Sequence, residues 1–257
     1  MDFIPLHYFE FSGAGIPGSS EIIDQIPSPD TWLPEKNGQS PNSIEMIRIF
    51  TNKGNFYIKY FSPIKWSKAM KDFFRISPGK RSFIKAQELK EKGILCPNPI
   101  AYLEAGLSSV YIAEEIRGNT LGSFRNDVLS SGGTLPSDFQ EFINGLARFI
   151  RLLHSKGIYH EDLTSKNIIY IRENKQYTFG LLDLDALKGK SLTERRRIRN
   201  LSRLNYDFLD LRVFTVKIRK KFLSCYEPNN VKRKELWHAI KRETIRTLKR
   251  SGRQFIF

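Results

Sequence analysis

The stretch that decides the fold reads GIYHEDLTSKNIIYI, from Gly157 to Ile171. It places polar and charged residues between apolar ones, with Asp162 five residues before Asn167. The pattern predicts a loop that follows a long helix and enters a β-hairpin, whose second strand ends near Asp183. The Asp162 carboxylate, the Asn167 amide oxygen and the Asp183 carboxylate can then converge at one site. Oxygen ligands from Asn167 and Asp183 suit Mg²⁺, which takes few protein ligands, and Asp162 would remain available to accept a proton.

Composition indicates a soluble protein with a substantial core. The chain has 257 residues, of which 40% are apolar, so we expect one large domain or two lobes. No run approaches the roughly 18 to 20 apolar residues of a membrane span, and the first residues lack the pattern of a leader peptide. We therefore expect a cytoplasmic location. Cys96 and Cys225 lack disulfide or zinc-ligand spacing, which favours buried, reduced thiols.

Charge is the unusual bulk property of this chain. It has 42 Lys and Arg against 27 Asp and Glu, a net charge of +15. Such a surplus favours anionic partners, namely phosphates, nucleic acid or an acidic membrane surface. It does not choose among them.

The first half of the sequence predicts an irregular segment followed by a small β-rich lobe. Residues 1–43 are rich in Pro, Gly and Ser, which favours irregular structure with a turn at Asn37-Gly38. Residues 44–61 alternate apolar and polar positions around a short turn, which predicts a β-hairpin. A helix over 79–92 and two further strands complete a lobe that we assign to residues 44–117.

The second half, residues 118–257, is predicted to be mostly helical. An apolar stripe predicts a helix from Asp138 to Lys156, with a capping box formed by Ser137 and Gln140 and an end at Gly157. Two strands follow the polar cluster, and after Leu192 the chain reads as helical and basic.

These residues resemble a known family. HEDLTSKN is similar to the catalytic loop H-x-D-L-x-x-x-N of the protein-kinase-like fold, and LLDLD stands where D-F-G would be. The segments KRSFIKAQELKEKGILCPNPIAYLE, YIAEEIRGNTL, LLHSKGIYHEDLTSKNIIY and FGLLDLDAL together resemble the lipopolysaccharide kinase family, from Ile44 to KKFLSCYE. The resemblance implies an α+β, bilobal protein-kinase-like fold. It also implies ATP and Mg²⁺ as cofactors and phosphorylation of Kdo or heptose in the lipopolysaccharide inner core.

The resemblance also assigns nucleotide-binding roles. Lys59 would hold the α- and β-phosphates of ATP, with Glu88 as its partner on the predicted helix. The backbone from Glu114 to Ile116 would bind adenine. Lys166 could touch the γ-phosphate, although a solvated loop lysine fits as well.

The acidic residues would divide the chemistry of the catalytic loop. By the resemblance, Asp162 is the catalytic base, and Asn167 and Asp183 are the metal ligands. His160 reads as a residue that organises the loop, and His154 as a core histidine with satisfied hydrogen bonds.

Several features depart from the protein-kinase pattern. No G-x-G-x-x-G precedes the lysine, Glu161 replaces the arginine of H-R-D, and Asp185 replaces the glycine of D-F-G. No A-P-E follows, and the short basic segment that takes its place is a poor platform for a peptide substrate.

A ladder of arginines suggests what the acceptor carries. Arg195, Arg199 and Arg203 recur every four residues, and like charges at this spacing repel by roughly 0.2 to 0.5 kcal/mol per pair unless an anion bridges them. An anionic glycolipid would be such a ligand, because arginine binds phosphate and carboxylate in bidentate fashion. The alternative is a solvated basic face near Glu194 and Asp207.

The leading hypothesis is therefore a sugar kinase that acts peripherally at the inner face of the cytoplasmic membrane. Two alternatives stay open: another small-molecule or protein kinase of the same fold, and a catalytically silent scaffold or basic nucleic-acid-binding module. Nucleic acid is not expected as a partner, because no basic strand rich in aromatic residues is found. The oligomeric state is open.

Overall fold

The architecture comes from a computed structural model, which describes residues 4–8, 11–26, 44–61, 76–188, 191–209 and 214–251. The chain divides into two compact units, Met1–Ile116 and Arg117–Phe257.

The described residues of unit 1 form an antiparallel sheet and two helices. Its strands, in chain order, are β1 Ile4–Tyr8, β2 Phe11–Gly15, β3 Ile44–Thr51, β4 Gly54–Phe61, β5 Asn98–Ala105 and β6 Ser108–Glu114. Their order in the sheet is β1-β2-β5-β6-β4-β3. Helix α1 spans Ser19–Ile23 and α2 spans Pro78–Glu91. Helix α2 packs on β5 and β6.

The predicted hairpin, helix and strand pair of unit 1 are confirmed. Strands β3 and β4 pair from Ile44↔Phe61 to Thr51↔Gly54, so the hairpin turn contains only Asn52 and Lys53. Ser77 caps α2, because its side chain accepts a hydrogen bond from the backbone N–H of Lys80.

The prediction of an irregular segment over residues 1–43 is wrong for part of its length. Strands β1 and β2 pair with each other, and β2 pairs with β5. A Cβ on Gly13 would lie 1.9 Å from the carbonyl oxygen of Tyr102, so only glycine allows this approach of β2 to β5. The turn predicted at Asn37-Gly38 lies outside the described residues.

Unit 2 is mostly helical. Its helices are α3 Leu121–Ser130, α4 Phe139–Ser155, α5 Glu194–Leu209, α6 Val216–Tyr226 and α7 Asn230–Ser251. Its strands are β7 Asn119–Thr120, β8 Tyr159–His160, β9 Ile168–Glu173, β10 Gln176–Leu181 and β11 Leu187–Lys188. A turn of 3₁₀ helix, Leu184–Ala186, precedes β11. No helix in the described part of the chain is long and apolar enough to cross a membrane.

Helix α4 confirms the predicted apolar stripe but not its cap. The capping box of Ser137 and Gln140 is wrong, because the residue at the N-cap is Asp138, which makes no side-chain cap bond. The Asp138 carboxylate instead accepts hydrogen bonds from Arg172 Nε and Nη2 at 2.9 and 2.6 Å. Gly157 follows the helix with a φ of 72°, a left-handed conformation that glycine adopts without strain.

The core of unit 2 is built on aromatic rings. Phe142 is fully buried in α4 and lies 4.4 Å, centroid to centroid, from Phe124. Tyr170 of β9 and Phe179 of β10 pack against the same ring. Helix α4 also packs on α6, and α5 packs on α7. This core fixes both ends of the segment between α4 and β9.

Candidate functional site

The segment between β8 and β9 is a tight loop held by its own backbone. Thr164 N donates to Asp162 O at 2.8 Å, and Asn167 N donates to Thr164 O at 3.0 Å. Strand β8 pairs with β11, which places His160 opposite Leu187. The loop thus presents Asp162 and Asn167 at fixed positions.

Asp162 and Asn167 are in direct contact. Asn167 Nδ2 donates to the backbone oxygen of Asp162 at 2.8 Å and to its carboxylate Oδ2 at 3.0 Å. Because the amide nitrogen is committed to Asp162, the amide oxygen Oδ1 is the atom that Asn167 can offer to a cation.

A second side chain, the cationic Arg203, reaches the same carboxylate from α5. Arg203 Nη1 lies 2.5 Å from Asp162 Oδ1, and the side chains are 44% and 48% exposed. Asp162 is therefore held by Asn167 on one oxygen and by Arg203 on the other, yet it remains open to solvent.

His160 organises the loop from beneath. It is 1% exposed, its Nδ1 accepts from Asp162 N at 3.2 Å, and its Nε2 lies 3.0 Å from Leu182 O. Burial lowers the pKa of His160, although the Leu182 carbonyl and the Asp183 and Asp162 carboxylates oppose the shift. The ring is thus neutral at pH 7, with its proton on Nε2 toward Leu182.

Sequence reasoning missed two further residues of α5 that hold the loop. Asn200 Nδ2 donates to His160 O at 2.5 Å, and Asp207 Oδ2 accepts from Ser165 N at 2.5 Å. With Arg203 they occupy positions i, i+3 and i+7, which share one helix face. This spacing was a pattern from which their role could have been predicted. It places the three polar residues next to the buried positions Leu201, Leu204 and Phe208 of the same helix.

Asp183 follows the β9–β10 hairpin in an unusual backbone conformation. Its φ of 51° is left-handed, and Ala186 N donates to its carbonyl at 3.1 Å. The preceding residue, Leu182, donates its N–H to Asn167 O at 2.9 Å, which ties this strand end to the loop. The side chain of Asp183 is exposed.

The donor set fits Mg²⁺. Asn167 and Asp183 offer one amide and one carboxylate, which are hard oxygen ligands. No cluster of three or more His, Cys, Asp or Glu side chains suited to a metal occurs in the described residues. A pair of oxygen ligands fits a cation that takes its remaining ligands from water and substrate phosphates.

The remaining predicted residues of unit 2 lie on its surface. Lys166 is exposed on the loop, and Arg195 and Arg199 are exposed on α5. The two arginines line an open basin of about 610 Å³ together with Ser191, Thr193 and Arg196. Arg196 is fixed there, since its Nη1 donates to Ser191 O at 2.7 Å and its guanidinium lies over the Tyr159 ring.

In unit 1, Lys59 lies on β4 opposite Met46 of β3 and Tyr111 of β6. Its ammonium lies 5.4 Å from the centroid of the Phe61 ring. Glu88 is exposed on α2, whereas its neighbour Gln87 is 8% exposed. The pairing of Lys59 with Glu88 stays a prediction.

The segment from Glu114 to Ile116 follows β6 and contains a carboxylate that the sequence did not reveal. Glu115 Oε2 accepts from Arg48 Nη2 at 2.6 Å and Asn55 Nδ2 at 2.9 Å, and Oε1 accepts from Tyr57 OH at 3.0 Å. Burial favours the protonated form, but the hydrogen bonds from these three side chains outweigh it and lower the pKa of Glu115. The backbone N–H of Glu115 also donates to Asn55 O at 2.9 Å. The position of the segment is therefore fixed by its neighbours on β3 and β4.

His154 has the core position that the sequence predicts. Tyr226 OH lies 2.7 Å from Nδ1, and Asn200 Oδ1 lies 3.3 Å from Nε2. Burial lowers the pKa of His154 to about 4. Both cysteines are free thiols, but only Cys96 is buried, while Cys225 is half-buried.

Comparison with known proteins places this geometry in a family. The model of the family described as "Lipopolysaccharide kinase (Kdo/WaaP) family" matches residues 32–226. A solved structure, "WaaP in complex with acyl carrier protein", superposes with a TM-score of 0.62 at 16% identity, covering 81% of this chain and 87% of that one. The α+β, protein-kinase-like fold expected from the sequence is confirmed.

Protein kinases match over shorter stretches. "Mitogen-activated protein kinase mpkC" of Aspergillus fumigatus is 34% identical over 129 residues, covering 48% of this chain and 32% of the relative. "Dual specificity testis-specific protein kinase 1" of Homo sapiens is 49% identical over 43 residues, covering 15% of this chain and 7% of the relative. The chain thus spans at most about a third of the length of these curated relatives.

Proposed function

Since this chain belongs to the lipopolysaccharide kinase (Kdo/WaaP) family, we propose that it transfers a phosphoryl group from ATP to a sugar hydroxyl, on Kdo or heptose, of the lipopolysaccharide inner core. The observation that carries this proposal is the environment of Asp162. Its carboxylate is held by Asn167 and Arg203 and is still 48% exposed. A base for an incoming hydroxyl requires this combination of fixed orientation and access.

Each residue has a role in the proposed reaction. Asp162 orients the acceptor hydroxyl and receives its proton as the oxygen bonds to the γ-phosphorus, while the bond from that phosphorus to the β,γ-bridging oxygen breaks and ADP leaves. Asn167 and Asp183 would hold Mg²⁺, which would supply neutralisation of charge on the phosphate oxygens. Lys59 binds the α- and β-phosphates, with Glu88 as its partner, while the backbone from Glu114 to Ile116 binds adenine. Lys166 directly precedes Asn167 in the loop and would contact the γ-phosphate.

The arginines of α5 support an anionic acceptor. A helix rises about 1.5 Å per residue, so Arg199 and Arg195 lie about 6 and 12 Å along the axis from Arg203. Arg203 contacts the proposed base, and the other two line the basin. An acceptor whose phosphates or carboxylates lie at such distances from its reactive hydroxyl would engage both, as a phosphorylated, acidic glycolipid can.

The positive charge of the chain also supports a peripheral position at the inner face of the cytoplasmic membrane. Anionic headgroups attract basic proteins by about 1 kcal/mol per Lys or Arg close to the surface. This location is part of the proposal.

Phosphate transfer from labelled ATP to Kdo-bearing lipid A, with and without heptose, tests the proposal directly. We expect label in the core sugar, detected as a phosphorylated oligosaccharide by mass spectrometry. Arg195→Gln and Arg199→Gln should raise the KM for the glycolipid. The control is Arg242→Gln, which replaces an exposed arginine of α7 and should leave that KM unchanged. A folded preparation that binds ATP and labels no glycolipid contradicts the proposal.

A second candidate is a kinase of the same fold with another acceptor. The local match to a mitogen-activated protein kinase favours it. The same assay with a peptide library and with small alcohols separates the two. Label in a peptide, with none in lipopolysaccharide, would select this candidate.

A further inference from the structure

A pocket with three basic side chains in its lining lies among helices α5, α6 and α7 of unit 2, apart from the residues assigned to the proposed reaction. It has a volume of about 240 Å³ and is lined by Asn205, Val216, Arg219, Lys220, Trp237 and Lys241. Three of these side chains carry positive charge, and none carries negative charge.

Arg219 is the buried centre of this pocket. The residue is 8% exposed, and its Nη1 donates to Asn205 Oδ1 at 3.2 Å. Its guanidinium carbon lies 5.9 Å from the ring centroid of Trp237. The Nε atom is buried and has no hydrogen-bond partner within residues 4–8, 11–26, 44–61, 76–188, 191–209 and 214–251.

In the part of the chain that the structure describes, no carboxylate compensates the charge of Arg219. Among the ion pairs of the described residues, none involves this guanidinium, whose bonded neighbour Asn205 is neutral. Burial lowers the pKa of Arg219, and among the described residues no acidic side chain opposes the shift. Burying a cation without an anionic partner is unfavourable, and an unsatisfied N–H adds to that cost.

We propose that this pocket is a second anion site, which binds a phosphate group. An arginine presents N–H groups that match two phosphate oxygens, and Lys220 at the rim adds a point charge. Trp237 forms an apolar wall for the group that carries the phosphate. The pocket is larger than a phosphate requires, which suits a phosphate monoester. This inference is independent of the proposed transfer reaction.

Trp237 provides a direct readout of binding. The chain has 3 Trp, and replacing Trp32 and Trp66 by Phe leaves Trp237 as the single reporter. Inorganic phosphate is titrated into this double variant, the parent protein of the experiment, at constant ionic strength, with chloride as the balancing anion. We expect a saturable change in fluorescence and a matching rise in Tm that chloride does not produce.

Substitutions at the pocket distinguish a specific site from general charge. Arg219→Met keeps an unbranched stem without the charge, so it should fold, and it should weaken phosphate binding about tenfold or more. Lys220→Gln at the rim should weaken binding by a smaller factor. Lys221→Gln changes the adjacent exposed lysine of α6 and should leave the titration unchanged.

Vesicles of phosphatidylglycerol distinguish the source of the phosphate. If Arg219→Met abolishes vesicle binding, the phosphate belongs to a lipid headgroup. If the parent and Arg219→Met bind vesicles equally and only the parent responds to inorganic phosphate, the phosphate belongs to a soluble compound. The proposal is overturned if the parent shows no saturable response to either probe, or if Arg219→Met responds as the parent does.

Discussion

Arg203 and Asp162 form an ion pair in which Nη1 lies 2.5 Å from Oδ1, although both side chains are nearly half exposed. Exposed pairs of this kind contribute about 0 to 1 kcal/mol to stability, so the pair can exchange with an incoming anion. Arg203 thus stands between the proposed base and the basin lined by Arg195 and Arg199.

Replacing Arg203 tests whether this arginine takes part in binding the acceptor. Arg203→Gln should raise the KM for the acceptor about tenfold, the loss of one charge-assisted hydrogen bond, and leave the KM for ATP unchanged. Steady-state kinetics with each substrate varied in turn gives both constants. Arg246→Gln removes an exposed arginine paired with Glu243 on α7 and is the matched control. Unchanged acceptor kinetics in Arg203→Gln would contradict the assignment.

Asp162 should be essential to turnover and dispensable for nucleotide binding. Asp162→Asn keeps the shape and loses the base, so kcat should fall about 10² to 10⁴-fold. Nucleotide affinity, measured by calorimetry, should be nearly unchanged. Glu161→Gln alters the adjacent carboxylate, which pairs with Lys188 at 3.1 Å, and should retain most activity. If Asp162→Asn keeps the full rate, the base lies elsewhere.

Glu115 should control nucleotide affinity through the segment it fixes. Glu115→Ala leaves three donors without their acceptor and should destabilise the protein by about 1 to 3 kcal/mol. Because Glu114 and Ile116 flank it, we expect weaker binding of a fluorescent ATP analogue, with no change in acceptor KM. Tyr57→Phe removes one donor and should have a smaller effect. Glu91→Gln, at an exposed position of α2, is the control, and equal ATP binding by all four proteins would exclude this role.

His154 should make stability depend on pH. Its pKa is about 4 in the fold against 6.5 for the free side chain. Between these values the unfolded chain binds a proton that the folded chain does not, so stability falls as pH falls from 6.5 toward 4. The full effect is about 3 kcal/mol, and His160 contributes in the same direction.

Urea unfolding at several pH values measures this dependence. His154→Gln can keep both hydrogen bonds and should give a shallower slope between pH 4 and 6.5. His238→Gln, at an exposed position of α7, should keep the slope of the parent. Identical slopes in all three proteins would mean that burial of His154 does not govern the effect.

Local patterns predicted the elements that carry their own signal. Helix α4 has an apolar stripe of 3.6-residue period and a glycine after its end, so the predicted span of 138–156 differs from Phe139–Ser155 by one residue at each end. The hairpin of β3 and β4 is likewise local, because its two strands are adjacent in sequence.

Features that depend on distant partners could not be predicted this way. The composition of FSGAG suggests a loop, yet Gly13 is required by the carbonyl of Tyr102, a residue far along the chain. The Glu115 carboxylate accepts hydrogen bonds from Arg48, Asn55 and Tyr57, which lie on strands that precede it by dozens of residues. At the catalytic loop, the resemblance supplied Asp162 and Asn167, but their contacts with α5 appear only in three dimensions.

The buried side-chain amide of Asn200 connects His154 and His160. Asn200 faces the His154 ring with its oxygen and the His160 carbonyl with its nitrogen, and it is 1% exposed. Helix α5, which carries Arg195, Arg199 and Arg203, is therefore hydrogen-bonded through Asn200 to the segment that precedes Asp162. Under the proposed function, docking of a charged sugar on these arginines would be coupled to alignment of its hydroxyl at Asp162, because neither segment can shift without straining the hydrogen bonds of Asn200.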